Sequence, residues 1–206
     1  MPLTIMSSII RLFSKTNKYV IIYFCLIAVE KNMHSFHIII RAFFNICLLK
    51  IGPQDLPKSN VFMMLTLIAY IIINTISELL SYHIAQSFLL ALIHVGILVF
   101  LISSLLYINQ YPQRITQTIT ALVGADILLN LLALPIGFWL IQAEQYGFDM
   151  GLPSILLLFL SAWTVTIYAH ILSNALDVHF FVAIIIVFIY VMVTFSILTR
   201  FFPIPT

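Results

Sequence analysis

Five long apolar runs follow one another along the chain, at about 61–81, 84–108, 115–141, 153–173 and 179–200. Each is continuous rather than alternating, so none reads as a strand of a membrane barrel. Each is about as long as the roughly 20 residues a helix needs to cross a hydrocarbon layer about 30 Å thick. A helix also satisfies its backbone polar groups internally, which lipid demands. The expected fold is therefore all-α, a polytopic transmembrane helical bundle of about five spans. The breaks are short: Tyr82-His83, 109–114 with Pro112, 142–152 with two glycines, and 174–178. Neighbouring spans should accordingly run antiparallel.

Composition agrees. The chain is 63% hydrophobic and 8% charged, with a mean hydropathy of +1.15. Soluble domains carry roughly 45–50% apolar and about 25% charged residues. This chain could not cover its surface with polar groups in water, and the lipid bilayer is its expected solvent and first partner. A net charge of +2 gives no footprint for nucleic acid. No phosphate-binding loop, zinc-binding His-Glu-x-x-His, nucleophile elbow or Cys-x-x-Cys occurs in the sequence. No catalytic residue, cofactor or metal ligand is expected, and the chain reads as a non-enzyme. Cys25 and Cys47 have no ligand spacing and read as plain apolar residues.

The region before the spans divides at Met33 and Asn60. Residues 1–32 form a basic N-terminal extension. Ser7, Arg11, Ser14, Lys15 and Lys18 recur at helical spacing among Ile5, Met6, Ile9, Ile10 and Phe13, with no acid before Glu30. This pattern suits an amphipathic helix, and a mitochondrial presequence shares it. Residues from Met33 onward are self-sufficient, so 1–32 read equally well as an upstream extension. Residues 33–60 combine an interfacial helix with an elbow. His34, His37, Arg41 and Asn45 make one narrow polar stripe on an otherwise apolar helix over 34–50. Such a helix is expected to lie in the plane of the membrane surface. Gly52 is expected to take a left-handed C-cap, and Pro53 and Pro57 to make a rigid turn before the spans of 61–206.

Orientation follows from the basic residues. Seven of the nine Lys and Arg lie before residue 59, and Arg114 lies in the second loop. The loops at 82–83 and 142–152 contain none. The positive-inside rule therefore places the N-terminus in the cytoplasm and the C-terminus outside. A bacterial inner membrane is expected, with the mitochondrial inner membrane as the alternative.

Ionisable groups within spans are costly, by about 2.5–3.5 kcal/mol on insertion scales, so each needs a reason. Asp126 lies near the middle of the third span, with Asn130 one turn on and Pro135 beyond. His94 lies near mid-depth of the second span. If the second and third spans are antiparallel, His94 and Asp126 fall within about one turn of each other in depth. The fourth span offers Trp163, Thr166 and His170 along one face, and the first offers Asn74 and Glu78. The candidate intramembrane polar cluster is thus Asp126, Asn130, His94, Trp163, His170 and Glu78. It can be a polar path for protons or a small solute, or interhelical hydrogen-bond glue. The fifth span offers only Thr194 and Ser196 and reads as an outer, lipid-facing helix.

Some local patterns resemble a known family. They are Thr120-Ala121-Leu122 through Leu131-Leu132-Ala133-Leu134-Pro135-Ile136-Gly137, and Ala162-Trp163 followed by His170-Ile171-Leu172. With five closely spaced spans after a cytoplasmic N-terminus, the segment from about 60 to 200 resembles the Yip1-domain family. The elbow Gly52-Pro53-Gln54-Asp55-Leu56-Pro57 looks like that of small proteobacterial multi-pass membrane proteins. The resemblance implies a non-catalytic scaffold, assembly factor or accessory subunit of a membrane complex, working with other membrane-protein subunits. The polar residues themselves suggest the alternative, a small transporter or proton-conducting subunit using Asp126 and His94.

Overall fold

The computed structural model describes residues 39–201. Two compact units divide the chain, Met1–Arg41 and Ala42–Thr206. Of the first, only 39–41 are described; they are helical, with Ile40 and Arg41 exposed. The expectations for 1–38, including the stripe positions His34 and His37, lie outside the described residues. All regular structure described is helical, and five helices are long and apolar enough to cross a membrane. They are α1 (Asn60–Glu78), α2 (Ile84–Ile108), α3 (Ile115–Tyr146), α4 (Gly151–Leu176) and α5 (Phe180–Phe201). The protein is an all-α, multi-pass integral membrane protein.

The helix ends have identifiable causes. Ser59 caps α1, its hydroxyl accepting from the Phe62 N–H at 3.3 Å. Four helices close with a residue in the left-handed region: Leu49, Gln110, Gly147 and Asp177. The N–H of the next residue then reaches back five positions, as in Lys50 to the Asn45 carbonyl at 3.0 Å. Gly52 does not take this role. It is extended, at φ −99°, because the helix over 42–47 has already closed at Leu49. Gly52 instead donates its N–H to Asp55 Oδ2 at 2.9 Å, fixing the 3-10 turn Pro53–Asp55. Helix α3 also runs further than the apolar run suggests. It passes through Pro135 and on to Tyr146, and the left-handed Gly147 stops it.

In packing, each span touches two neighbours around a ring in the order α1, α2, α5, α4, α3, and α2 also touches α3. Helix α3 is the hub. Half of its membrane-length window is buried, against 17–28% for the others. Ten consecutive residues, Gln117 through Asp126, are buried, whereas most of the second half of α3 is not. Outward residues such as Ile68, Phe100, Phe159 and Phe188 are large and exposed, as lipid contact requires.

The end of the bundle that holds the α3 N-terminus is tied together. Arg114 reaches the carboxyl end of α4, donating to the Ala175 carbonyl at 2.9 Å and pairing with Asp177 at 2.8 Å. A cation there complements the helix dipole. Gln117 secures the elbow, its Nε2 donating to the Leu56 and Gln54 carbonyls at 2.6 and 3.1 Å. Just before the elbow, Phe43 stacks on Phe62 and lies against Gly124. Cys47 Sγ faces the Ala125 carbonyl at 4.0 Å. These contacts are four residues apart on the short helix yet adjacent on α3. A helix running along α3 would advance about 6 Å over four residues. The short helix therefore crosses α3.

Candidate functional site: a five-span polar cluster

One polar side chain from each span meets near the middle of the bundle: Tyr70 of α1, His94 of α2, Asp126 of α3, Tyr168 of α4 and Tyr190 of α5. The Asp126 carboxylate organises them. Its Oδ2 accepts hydrogen bonds from Tyr168 at 2.7 Å and from Tyr70 at 3.0 Å. Tyr70 is fully buried, and Asp126, Tyr168 and Tyr190 are 5–8% exposed. Burial on this scale is tolerable because the hydroxyls are hydrogen-bonded, as buried polar groups need to be.

Proton counting fixes the rest. Tyr70 has one hydroxyl hydrogen and gives it to Asp126. The Tyr70 oxygen can then only accept from His94 Nδ1, 3.1 Å away. A neutral His94 therefore carries its hydrogen on Nδ1. Its Nε2 lone pair faces the Tyr190 hydroxyl at 3.5 Å. The outcome is a continuous chain, Tyr190 to His94 to Tyr70 to Asp126, crossing four helices.

Two cavities adjoin this chain. The larger, about 330 Å³, is lined by Asp126, His94, Asn74, Glu78, Asn130, Ser161 and Thr164 among apolar residues. From Asp126 and His94 near mid-bundle the lining continues to Glu78 at the end of α1, to Leu90 and Leu157 in the first third of α2 and α4, and to Leu198 near the end of α5. The cleft thus extends from Asp126 toward the end of the bundle opposite the elbow. The smaller, about 160 Å³, shares Asp126, His94 and Thr164 and adds Tyr168 and Tyr190. On the elbow side, the buried half of α3 and the crossing helix close the bundle.

The residues singled out in the sequence separate into two groups. Asp126, His94, Asn130 and Glu78 line the cleft together. Asn130 is not a hydrogen-bond partner of Asp126, and His94 reaches it only through Tyr70; the direct partners are tyrosines. Trp163 and His170 line neither cavity. His170 instead contacts the Ile51 carbonyl with Nε2 at 3.3 Å, helping to hold the elbow. Tyr70, Tyr168 and Tyr190 are uncharged at neutral pH, so the cost of burying charge, which singles out Asp126 and His94, does not point to them. Their depth was the available signal. Tyrosines of an interfacial belt sit near span ends, whereas a mid-span hydroxyl needs a partner inside the protein. The fifth span, read as an outer helix, supplies Tyr190 to this cluster.

Cys47 borders the cluster from outside the spans. Burial, and secondarily the Asp126 carboxylate, push its thiol from 9.0 to about 11. The thiolate is the reactive form. Its population at pH 7.5 should fall about 100-fold below that of an unperturbed thiol. In a Cys25→Ser chain, maleimide should modify Cys47 slowly until denaturant is added. Rapid labelling of the folded protein would contradict the packing of this segment.

No family model, curated protein or solved structure matches this chain.

Proposed function

We propose that this integral membrane protein is a small transporter or proton-conducting subunit in which Asp126 is the proton-binding carboxylate. One observation carries the reading: a buried carboxylate, joined to an imidazole through a tyrosine, stands at the head of a cleft whose lining runs toward one end of the bundle. Hydrogen-bond glue needs no such cleft. The hydrogen-bonded chain also moves a proton with balanced bookkeeping. Tyr70 gives its hydrogen to Asp126 and takes the Nδ1 hydrogen of His94; His94 takes one at Nε2 from the Tyr190 hydroxyl, which is reprotonated in turn, and the imidazole must turn over before a second proton passes. A proton entering beside Tyr190 thus leaves from Asp126 into the cleft. Ionisable residues within spans commonly serve such relays. With the N-terminus in the cytoplasm, as the positive-inside rule favours, the cleft faces the external side of a bacterial inner membrane.

The test is purified protein in liposomes holding a pH-sensitive dye, with a pH gradient and a compensating potassium–valinomycin pathway. Wild-type protein should carry protons faster than protein-free liposomes. Asp126→Asn, folded and inserted, should return flux to the protein-free rate. An Asn variant with wild-type flux would refute the assignment.

A further inference from the structure

The chemistry of the cleft lining is one-sided. It contains two carboxylates, Glu78 and Asp126, and no Lys or Arg. Both tyrosines load Oδ2 of Asp126, so Oδ1 has no donor among the described residues. The Glu78 carboxylate makes no hydrogen bond or ion pair among them either. The Ser161 and Thr164 hydroxyls spend their hydrogens on the backbone, donating to the Leu157 carbonyl at 2.8 Å and the Leu160 carbonyl at 2.9 Å. Each can then only accept from a guest. A guest that meets these groups must be a donor, and one that meets two carboxylates gains by being cationic. Apart from His94, whose ring nitrogens face Tyr70 and Tyr190, and the amides of Asn74 and Asn130, the lining is aliphatic, supplied by leucines and alanines of α2, α3, α4 and α5. It suits an organic body better than a hydrated ion.

A second, independent feature lies in Asn74. It is 6% exposed and lines the cleft, yet its Nδ2 has no hydrogen bond. Its polar neighbour is the Tyr70 phenol one turn away; a carboxamide has two N–H donors, so at least one is left for a guest. An unpartnered buried donor is costly, by the desolvation of its N–H, and an acceptor on a guest would relieve it. The cleft volume, about 330 Å³, lies at the small end of the range for small-molecule sites, roughly 300–1,000 Å³.

We propose that the cleft binds a small organic ammonium compound with an apolar body and one neutral acceptor, its ammonium between Glu78 and Asp126 and its acceptor on Asn74. This rests on Asp126 being the functional carboxylate of the cleft and names the solute class that a proton-coupled transporter of this shape would carry.

Three molecules with one phenol body separate the contributions: tyramine, tyrosol and para-hydroxyphenylacetate, which end in an ammonium, a hydroxyl and a carboxylate. Binding of each to full-length protein in nanodiscs is measured against protein-free nanodiscs. Tyramine should bind saturably and at least about tenfold more tightly than tyrosol, the scale of one charged hydrogen bond, with the carboxylate weakest. Glu78→Gln and Asn74→Leu should each weaken tyramine. Tyramine should also slow maleimide labelling of a Ser161→Cys chain, which reports occupancy without altering Glu78 or Asn74. Equal binding of the three molecules, unaltered tyramine binding in Glu78→Gln, or displacement of tyramine by sodium chloride but not by choline chloride at the same ionic strength would overturn the proposal. Asp126-dependent proton flux without tyramine binding would remove the ammonium ligand alone. Tyramine binding without any Asp126-dependent flux would remove the proton reading alone.

Discussion

Leucine at position 124 is expected to unseat the short helix before the elbow. A Cβ added to Gly124 would overlap the Phe43 ring. The ring cannot simply swing clear, since Phe43 is 8% exposed and stacks on Phe62 with centroids 5.9 Å apart. Overpacking a filled site costs about 1–3 kcal/mol, occasionally more. Displacing Phe43 also loosens Ile46 and Cys47, which are buried beside it. Gly124→Leu should therefore lower the melting temperature in detergent and open the elbow around 50–58 to protease. Adding Phe43→Ala should recover part of the loss, because it removes the atoms that clash. Unchanged melting and proteolysis in Gly124→Leu would mean that this segment does not pack on α3 as described.

The second large effect concerns Asp126→Leu against Asp126→Asn. Leucine removes the acceptor of two tyrosine hydroxyls, and Tyr70 and Tyr168 are at most 5% exposed. Each stranded hydroxyl costs roughly 1–3 kcal/mol. Within membranes single bonds average nearer 0.6 kcal/mol, because the unfolded state also finds partners. A combined loss of about 3 kcal/mol is expected for leucine, enough to reduce membrane abundance several-fold. Asparagine keeps a carbonyl oxygen where Oδ2 lies and should accumulate near the wild-type level. Abundance measured by quantitative blotting, with melting of the purified variants, checks both. Equal abundance of the two would mean that the tyrosines do not depend on this acceptor. Structural and functional roles part at this pair: asparagine spares the fold and, on the reading proposed above, abolishes proton transfer.

How far the sequence reaches is seen in particular residues. The five spans follow from apolar runs because lipid leaves the backbone few alternatives. Gln142, Glu144 and Gln145 read as loop, so the sequence ends α3 too early. Polar side chains beyond the hydrocarbon do not stop a helix, however, and the left-handed Gly147 does. Gly52 attracts the cap that Leu49 makes for the converse reason, since glycine is the usual left-handed residue but not the obligatory one. Asp126 and His94 were legible as partners in one region from charge cost and antiparallel depth alone. The means of their connection was not. It depends on three tyrosines whose rotation about their helices the apolar pattern leaves open. α3 and α4 have hardly any amphipathic bias by which a sequence could set that rotation, since lipid-facing and core-facing residues are alike apolar. The cleft was hidden for the same reason, being a property of helix spacing.

The central claim is that the Asp126 carboxyl exchanges protons with water through the cleft. Infrared difference spectra of the reconstituted protein, recorded between two buffer pH values, report this directly through the carboxylic C=O stretch. The account predicts a pH-dependent carboxyl band present in the wild type and missing from folded Asp126→Asn. Identical difference spectra for the two proteins would contradict it.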